Sequence, residues 1–199
     1  MSAPTWEMLK DRNAAATKLN VSGSLHVIGS GGLGPVDDHF VFFHGRENQW
    51  WVERNGITVY ASSSSTDTVP VVRVNGQMVH HRRNSIPRIG DLFTPRDLLG
   101  PRSLLSRTTR AEPVASTPRP SAHNERPGWT VDLASSGGMT ATIAIDDRTG
   151  IITELHSPDH EHSLRLENLV EHRDFPSSRF VWDGPTMERD EVPDFGMSW

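Results

Sequence analysis

Two Asn-Gly dipeptides constrain this chain more than any other feature of it. Asn55-Gly56 separates QWWVER (49–54) from ITVYA (57–61), and the second dipeptide, Asn75-Gly76, joins the runs 69–75 and 77–83. A two-residue turn of this kind needs positive φ at both positions, and its twist fits antiparallel strands. Both pairs of segments are therefore read as hairpins. HFVFFHG (39–45) and VSGSLHVI (21–28) alternate in the same way, which gives six strands. Pro70 places its strand at an edge or at its own start.

The last third repeats the pattern. In MTATIAIDD, Met139, Ala141, Ile143 and Ile145 share one face and Thr140, Thr142 and Ala144 the other. Asp146–Gly150 is a turn, with Gly150 supplying positive φ. The stretch from Met139 onward reads as three consecutive strands closed by DFPSSRFVW, and WTVDL (129–133) precedes them as a fourth.

Helical spacing is found in two places. Residues 4–19 put Trp6, Leu9, Ala16 and Leu19 near one stripe; Pro4 suits the first turn, and Asn20 can end the helix. Residues 94–107 read as two helical pieces, with Thr94 as cap, Pro95 at the first position and a break at Gly100-Pro101. GSGGLGPVDD is read as a flexible connection. It lacks the Gly-Lys-Ser/Thr ending of a phosphate loop. EPVASTPRPSAHNERPG (112–128) is read as a mobile surface loop, and the end of the chain as an irregular tail.

Composition excludes several function classes. The chain has 199 residues, no cysteine and a net charge of −5. Disulfides, thiolate metal sites and a cysteine nucleophile are ruled out. No basic stripe is present, so nucleic acid is not an expected partner. No apolar run reaches the roughly 20 residues of a membrane span, so no transmembrane segment is expected. MSAPTWEMLKDRN has no signal-peptide core. The chain as it stands is expected in the cytoplasm, or in the cell envelope if an export signal has been removed.

Residues that carry chemistry are scattered. His156, Asp159, His160, Glu161 and His162 invite a metal reading, but they lie where a hairpin must turn, and polar turn residues are the plainer reading. His80 and His81 point to opposite faces of their strand. Asp146-Asp147 serve the turn, and Asp37-Asp38 lie in the glycine-rich connection. Neither pair has a base or oxyanion donor beside it. Ser103 and the Ser62–Ser65 run lack a nucleophile-elbow context. Neither metal nor cofactor is expected, and no catalysis.

The order helix, six strands, helices, four strands fits a mainly β (α+β) fold. It is a single curved antiparallel sheet of about ten strands, a half-open barrel whose concave face is covered by the N-terminal helix and the helical insertion. Residues 1–185 are read as one domain and 186–199 as the tail. This order resembles the bacterial lipoprotein-carrier and lipid-binding superfamily: the LolA and LolB localisation factors, the LppX-type mycobacterial lipoproteins and the RseB-type envelope stress regulators. DDRTGIITEL resembles that family's hairpin before its last strands. LRLENLVEHRDFPSSRFVWDGP resembles its ending, through Phe180, Trp182 and Pro185, and Val21 and Gly23 fit its first strand. The resemblance implies non-catalytic binding of an acyl chain or a polypeptide between sheet and helices.

The aromatics fit such a cavity. Phe40, Phe42, Phe43, Trp50, Trp51 and Tyr60 lie on three adjacent strands, and Trp50 and Trp51 face opposite ways. An ordinary core plus a covered outer face accounts for them. In the binding reading, Phe42, Trp50, Leu98, Leu99, Leu104 and Leu105 line an apolar pocket, with Arg82, Arg83 or Arg88 at its rim for an anionic headgroup. The expected partner is then a lipid or other apolar small molecule, or alternatively a protein using the same groove.

Overall fold

The structure, a computed structural model, describes residues 3–32, 34–63, 69–81, 89–107, 111–113, 117–135, 140–158 and 161–187. Thr5 caps the first helix, its side chain accepting from the backbone N–H of Met8 at 3.2 Å. Helix α1 (Trp6–Ala15) follows and tightens into a 3-10 turn over Ala16–Lys18. Leu9 and Ala16 of the expected stripe are buried, with Trp6 and Leu19 packed against the same core.

Twelve strands follow among the described residues: β1 (Asn20–Gly31), β2 (Gly34–Gly45), β3 (Gln49–Arg54), β4 (Ile57–Ser62), β5 (Val71–Val74), β6 (Gln77–His80), β7 (Ala111–Pro113), β8 (Arg119–His123), β9 (Arg126–Ser135), β10 (Thr140–Asp146), β11 (Ile152–Ser157) and β12 (His162–His172). They form one sheet in the order β6-β5-β4-β3-β2-β1-β12-β11-β10-β9-β7, with β8 also paired to β9. Every pairing is antiparallel. Among the described residues the two ends of this path, β6 and β7, do not pair, and the sheet is a half-open barrel. Its first half and its last half are each a run of hairpins, and β1 on β12 joins them.

Both Asn-Gly turns form as read. Asn55 and Gly56 have φ of 51° and 77°, and Asn75 and Gly76 of 48° and 83°. Gly150 has φ of 73° and donates to Asp146 O at 2.9 Å. Gly23 sits where the β1–β12 register shifts. A Cβ there would lie 2.9 Å from Leu166 and 3.2 Å from Phe42, so glycine lets the seam close.

Three segments differ from the sequence reading. GSGGLGPVDD is not a long connection: β1 and β2 run through it in register to Gly31 opposite Gly34. The loop expected over 112–128 holds the edge strand β8, which turns into β9 at Asn124 and Glu125, both with positive φ. Edge position explains the prolines, because a missing N–H costs little where only one neighbour is paired. The third difference is at 94–107, where the two expected helices shrink to a 3-10 turn (Pro95–Asp97) and a single turn, α2 (Leu104–Arg107). Thr94 still caps, through a reciprocal pair with Asp97. The intervening backbone groups are taken by other elements. Leu98 O accepts from Ile152 N at 3.1 Å, and Gly100 N donates to Asn13 O at 3.0 Å.

Residues 173–187 fold back over the outer face. Phe175 meets Phe43 edge-on at 5.9 Å, Arg179 lies 3.4 Å from the Phe43 ring centroid, and Trp182 sits 6.2 Å from Trp51. Trp51 is therefore the covered outer-face aromatic. The residues that carry the resemblance hold this segment in place: Phe180 is buried, and Trp182 Nε1 donates to Pro185 O at 3.2 Å. Thr186 and Met187, expected in the tail, are held instead, Met187 N donating to Met78 O at 2.9 Å. Residues 188–199 lie outside the described residues.

Candidate functional site

One face of the sheet carries the core. Leu25 and Val27 of β1, Phe40 and Phe42 of β2, Trp50 and Val52 of β3, Ile143 and Ile145 of β10 and Leu164 and Leu166 of β12 belong to a single buried cluster. Residues 89–107 and α1 lie over this face and form its cover. Gly90 shows how close the cover runs, since a Cβ there would stand 3.0 Å from the Phe40 ring.

The six expected lining residues do meet. Phe42, Trp50, Leu98, Leu99 and Leu105 are at most 3% exposed and belong to the same cluster, with Leu104 packed against it. Phe42 and Trp50 lie 6.1 Å apart, ring centre to ring centre, and Trp50 shares its face with Val52 as the parity predicts. The layer is buried among the protein's own side chains. Arg82, Arg83 and Arg88, named for the rim, lie outside the described residues.

Asn13 ties the cover down. Its Nδ2 donates to Leu98 O and to Gly150 O, each at 2.8 Å, from a fully buried position. Arg12 reaches the same β10–β11 turn, donating to the Asp147 carboxylate at 2.6 Å. The turn has its own support. Asp146 is buried and accepts from Arg126 Nε and from Thr149, each at 2.7 Å. Burial pushes its pKa up, but the bonds from Arg126 and Thr149 outweigh this and hold the carboxyl below its ordinary value.

Two polar groups stand out on the apolar face. His44 is fully buried, 4.5 Å from the Trp50 ring, with Nδ1 donating to Leu19 O at 3.0 Å. Burial lowers its pKa from 6.5 to about 4, against the smaller opposing effect of the Leu19 carbonyl. Arg96, in the cover, lies 5.3 Å from the centre of the Tyr60 ring. Its Nη1 is buried and has no hydrogen-bond partner among the described residues. Burial lowers its pKa, and nearby Arg102 adds to this, against Tyr60 and Asp97.

The other constellations stay apart. His156 and His162 fall on opposite faces: His162 pairs with Ser157, the neighbour of His156 in β11. Asp159 and His160 lie outside the described residues. Asp37 and Asp38 are not in a loop but in β2, on opposite faces; Asp38 is inward and accepts from Arg54 Nε at 2.7 Å. Ser103 is buried with its Oγ 3.3 Å from Ser106 Oγ, and no base is within reach of it among the contacts described. Among the described residues no helix is long and apolar enough to cross a membrane.

This architecture has counterparts among solved structures. An uncharacterised conserved protein from Thermus thermophilus matches at a TM-score of 0.54 and 8% identity, over 92% of this chain and 98% of its own. The Pseudomonas aeruginosa MucA/MucB complex matches at 0.52 and 13% identity over 89% of this chain, and MucB alone at 0.51 and 12% over 88%. The present chain spans 60% and 62% of those two chains. At such identities the likeness shows the fold. No family model matches the sequence, and no curated protein does.

Proposed function

We propose that this protein is a non-catalytic binding module that takes an anionic amphiphile, a lipid or other apolar ligand with an acidic headgroup, between the core face and the 89–107 cover. The observation that carries this reading is Arg96. A guanidinium over Tyr60 with one buried nitrogen left unpaired among the described residues is costly. A carboxylate or phosphate beside it would satisfy the nitrogen and the charge together. The acyl chain would take the layer of Phe42, Trp50, Leu98, Leu99, Leu104 and Leu105 once the cover lifts. Little regular structure holds that cover, only a 3-10 turn and one helical turn.

A second reading has its own support. The layer is already buried among the protein's own side chains, and a similar fold is known in a complex with MucA, so a polypeptide is the alternative occupant of this groove.

Native mass spectrometry with organic extraction, followed by titration with oleate, tests the first reading. One equivalent of oleate is expected, with binding weakened at least tenfold in Arg96→Gln and abolished in Leu104→Arg while the sheet still folds. A clean apo mass with no oleate uptake overturns the lipid reading and favours the polypeptide.

A further inference from the structure

The face of the sheet opposite the cover carries a cluster that the ligand reading does not use. His26 in β1 and His39 in β2 are direct cross-strand partners, and Asp37 stands two residues before His39 on the same face. The two imidazole rings stack with centres 3.9 Å apart and planes 17° apart. Asp37 Oδ1 lies 2.7 Å from His26 Nε2 and 3.5 Å from His39 Nε2. One donor atom from each of the three residues falls within 4.8 Å of the other two.

We propose that His26, Asp37 and His39 form a binding site for a divalent metal ion of the zinc class. Imidazole nitrogen and carboxylate oxygen suit zinc, copper and nickel, and are too nitrogen-rich for magnesium or calcium. Donor atoms around a tetrahedral ion with bonds of roughly 2.0–2.2 Å stand roughly 3.3 Å apart. The two oxygen–nitrogen separations, 2.7 and 3.5 Å, bracket that value. Small side-chain rotations therefore convert the His26–Asp37 hydrogen bond and the longer His39–Asp37 contact into shared coordination.

The site rests on rigid elements. β1 and β2 are paired along their whole length, from Val21 with His44 to Gly31 with Gly34. His39 is further pinned by Asn55, whose side chain accepts from His39 N at 2.9 Å and whose N–H donates to His39 O at 2.7 Å. Access is open, because the side chains of Asp37 and His39 are 73% and 65% exposed. Among the described residues Arg165 is a cation facing the site, opposite His26 on β12, and its Nε lies 4.0 Å from Glu167 Oε1, which offsets its charge. Three protein ligands leave at least one coordination position for water or for a donor from a partner.

Isothermal titration calorimetry of the full, chelator-treated chain with zinc chloride tests the proposal, with far-UV circular dichroism to check folding. One equivalent is expected, weakened at least tenfold in His26→Ala and in His39→Ala and to a smaller extent in Asp37→Asn. Zinc should also raise the melting temperature of the wild type and not of the double His26→Ala/His39→Ala variant. Imidazole nitrogen shifts of His26 and His39 on adding zinc give the same answer in the unaltered protein, should a variant fail to fold. No heat in the wild type, or undiminished binding in the double variant through others of the ten histidines, overturns the site.

Discussion

At the scale of the residue, His44 is a titratable group held away from water. It is neutral in the folded protein, with a pKa of about 4, and titrates at its ordinary 6.5 once unfolded. Between those two values unfolding takes up a proton. Stability is therefore whole above the unfolded value, falls as pH drops from 6.5 toward 4, and levels off below that. The wild type is expected to lose about 2 kcal/mol between about pH 7 and about pH 5 through this group. His44→Gln, which can still donate to Leu19 O, should lose that dependence. Urea unfolding of both proteins at the two pH values measures it; equal slopes would show that His44 is not the source. Asp146 acts lower in the scale. Its depressed pKa contributes stability above the unfolded carboxyl value, which is lost as pH falls through the folded one. Residue parity was legible in the sequence at Trp50 and Trp51. The histidine cluster was not, because it depends on the register that sets His26 opposite His39, and no local pattern encodes that pairing.

At the scale of the element, local signals were read well and tertiary ones poorly. The Asn-Gly hairpins and the Asp146–Gly150 turn depend on their own few residues, so their chemistry is visible in the chain. The glycines before Gly34 and the prolines of β8 suggested loops, yet neighbouring strands hold both segments extended. The cover was misread for a related reason. Leucine spacing favours helix, but Leu98 O and Gly100 N bond to Ile152 and Asn13 rather than within a helix. Asn13 is thus the clasp between α1, the cover and the β10–β11 turn. Asn13→Ala would take the Nδ2 donor from Gly150 O, at about 1–3 kcal/mol, while Leu98 O keeps its bond from Ile152 N. Amide hydrogen exchange should show residues 98–105 losing protection well before the central strands; uniform loss across the sheet would show that the cover does not open on its own.

At the scale of the whole molecule, the sheet is two runs of hairpins that meet along β1 and β12. Nearly every pairing joins strands that follow each other in sequence, and the seam joins Asn20 to His172. Contacts so distant along the chain close late in folding, because their loop entropy is met only once each half has formed. Leu166→Ala at the seam and Val52→Ala within the first run should both destabilise, Leu166→Ala by about 2–5 kcal/mol. Stopped-flow chevrons should show the seam variant mainly speeding unfolding and the β3 variant mainly slowing folding; a high φ-value at Leu166 would mean that the seam forms in the transition state. The same topology makes the protein a meander that has been cut in its middle. A circularly permuted chain opened between β6 and β7, with residue 199 linked to residue 1, would place β12 before β1 in sequence, shorten the separation across the seam, lower the contact order and refold faster than the natural order of strands.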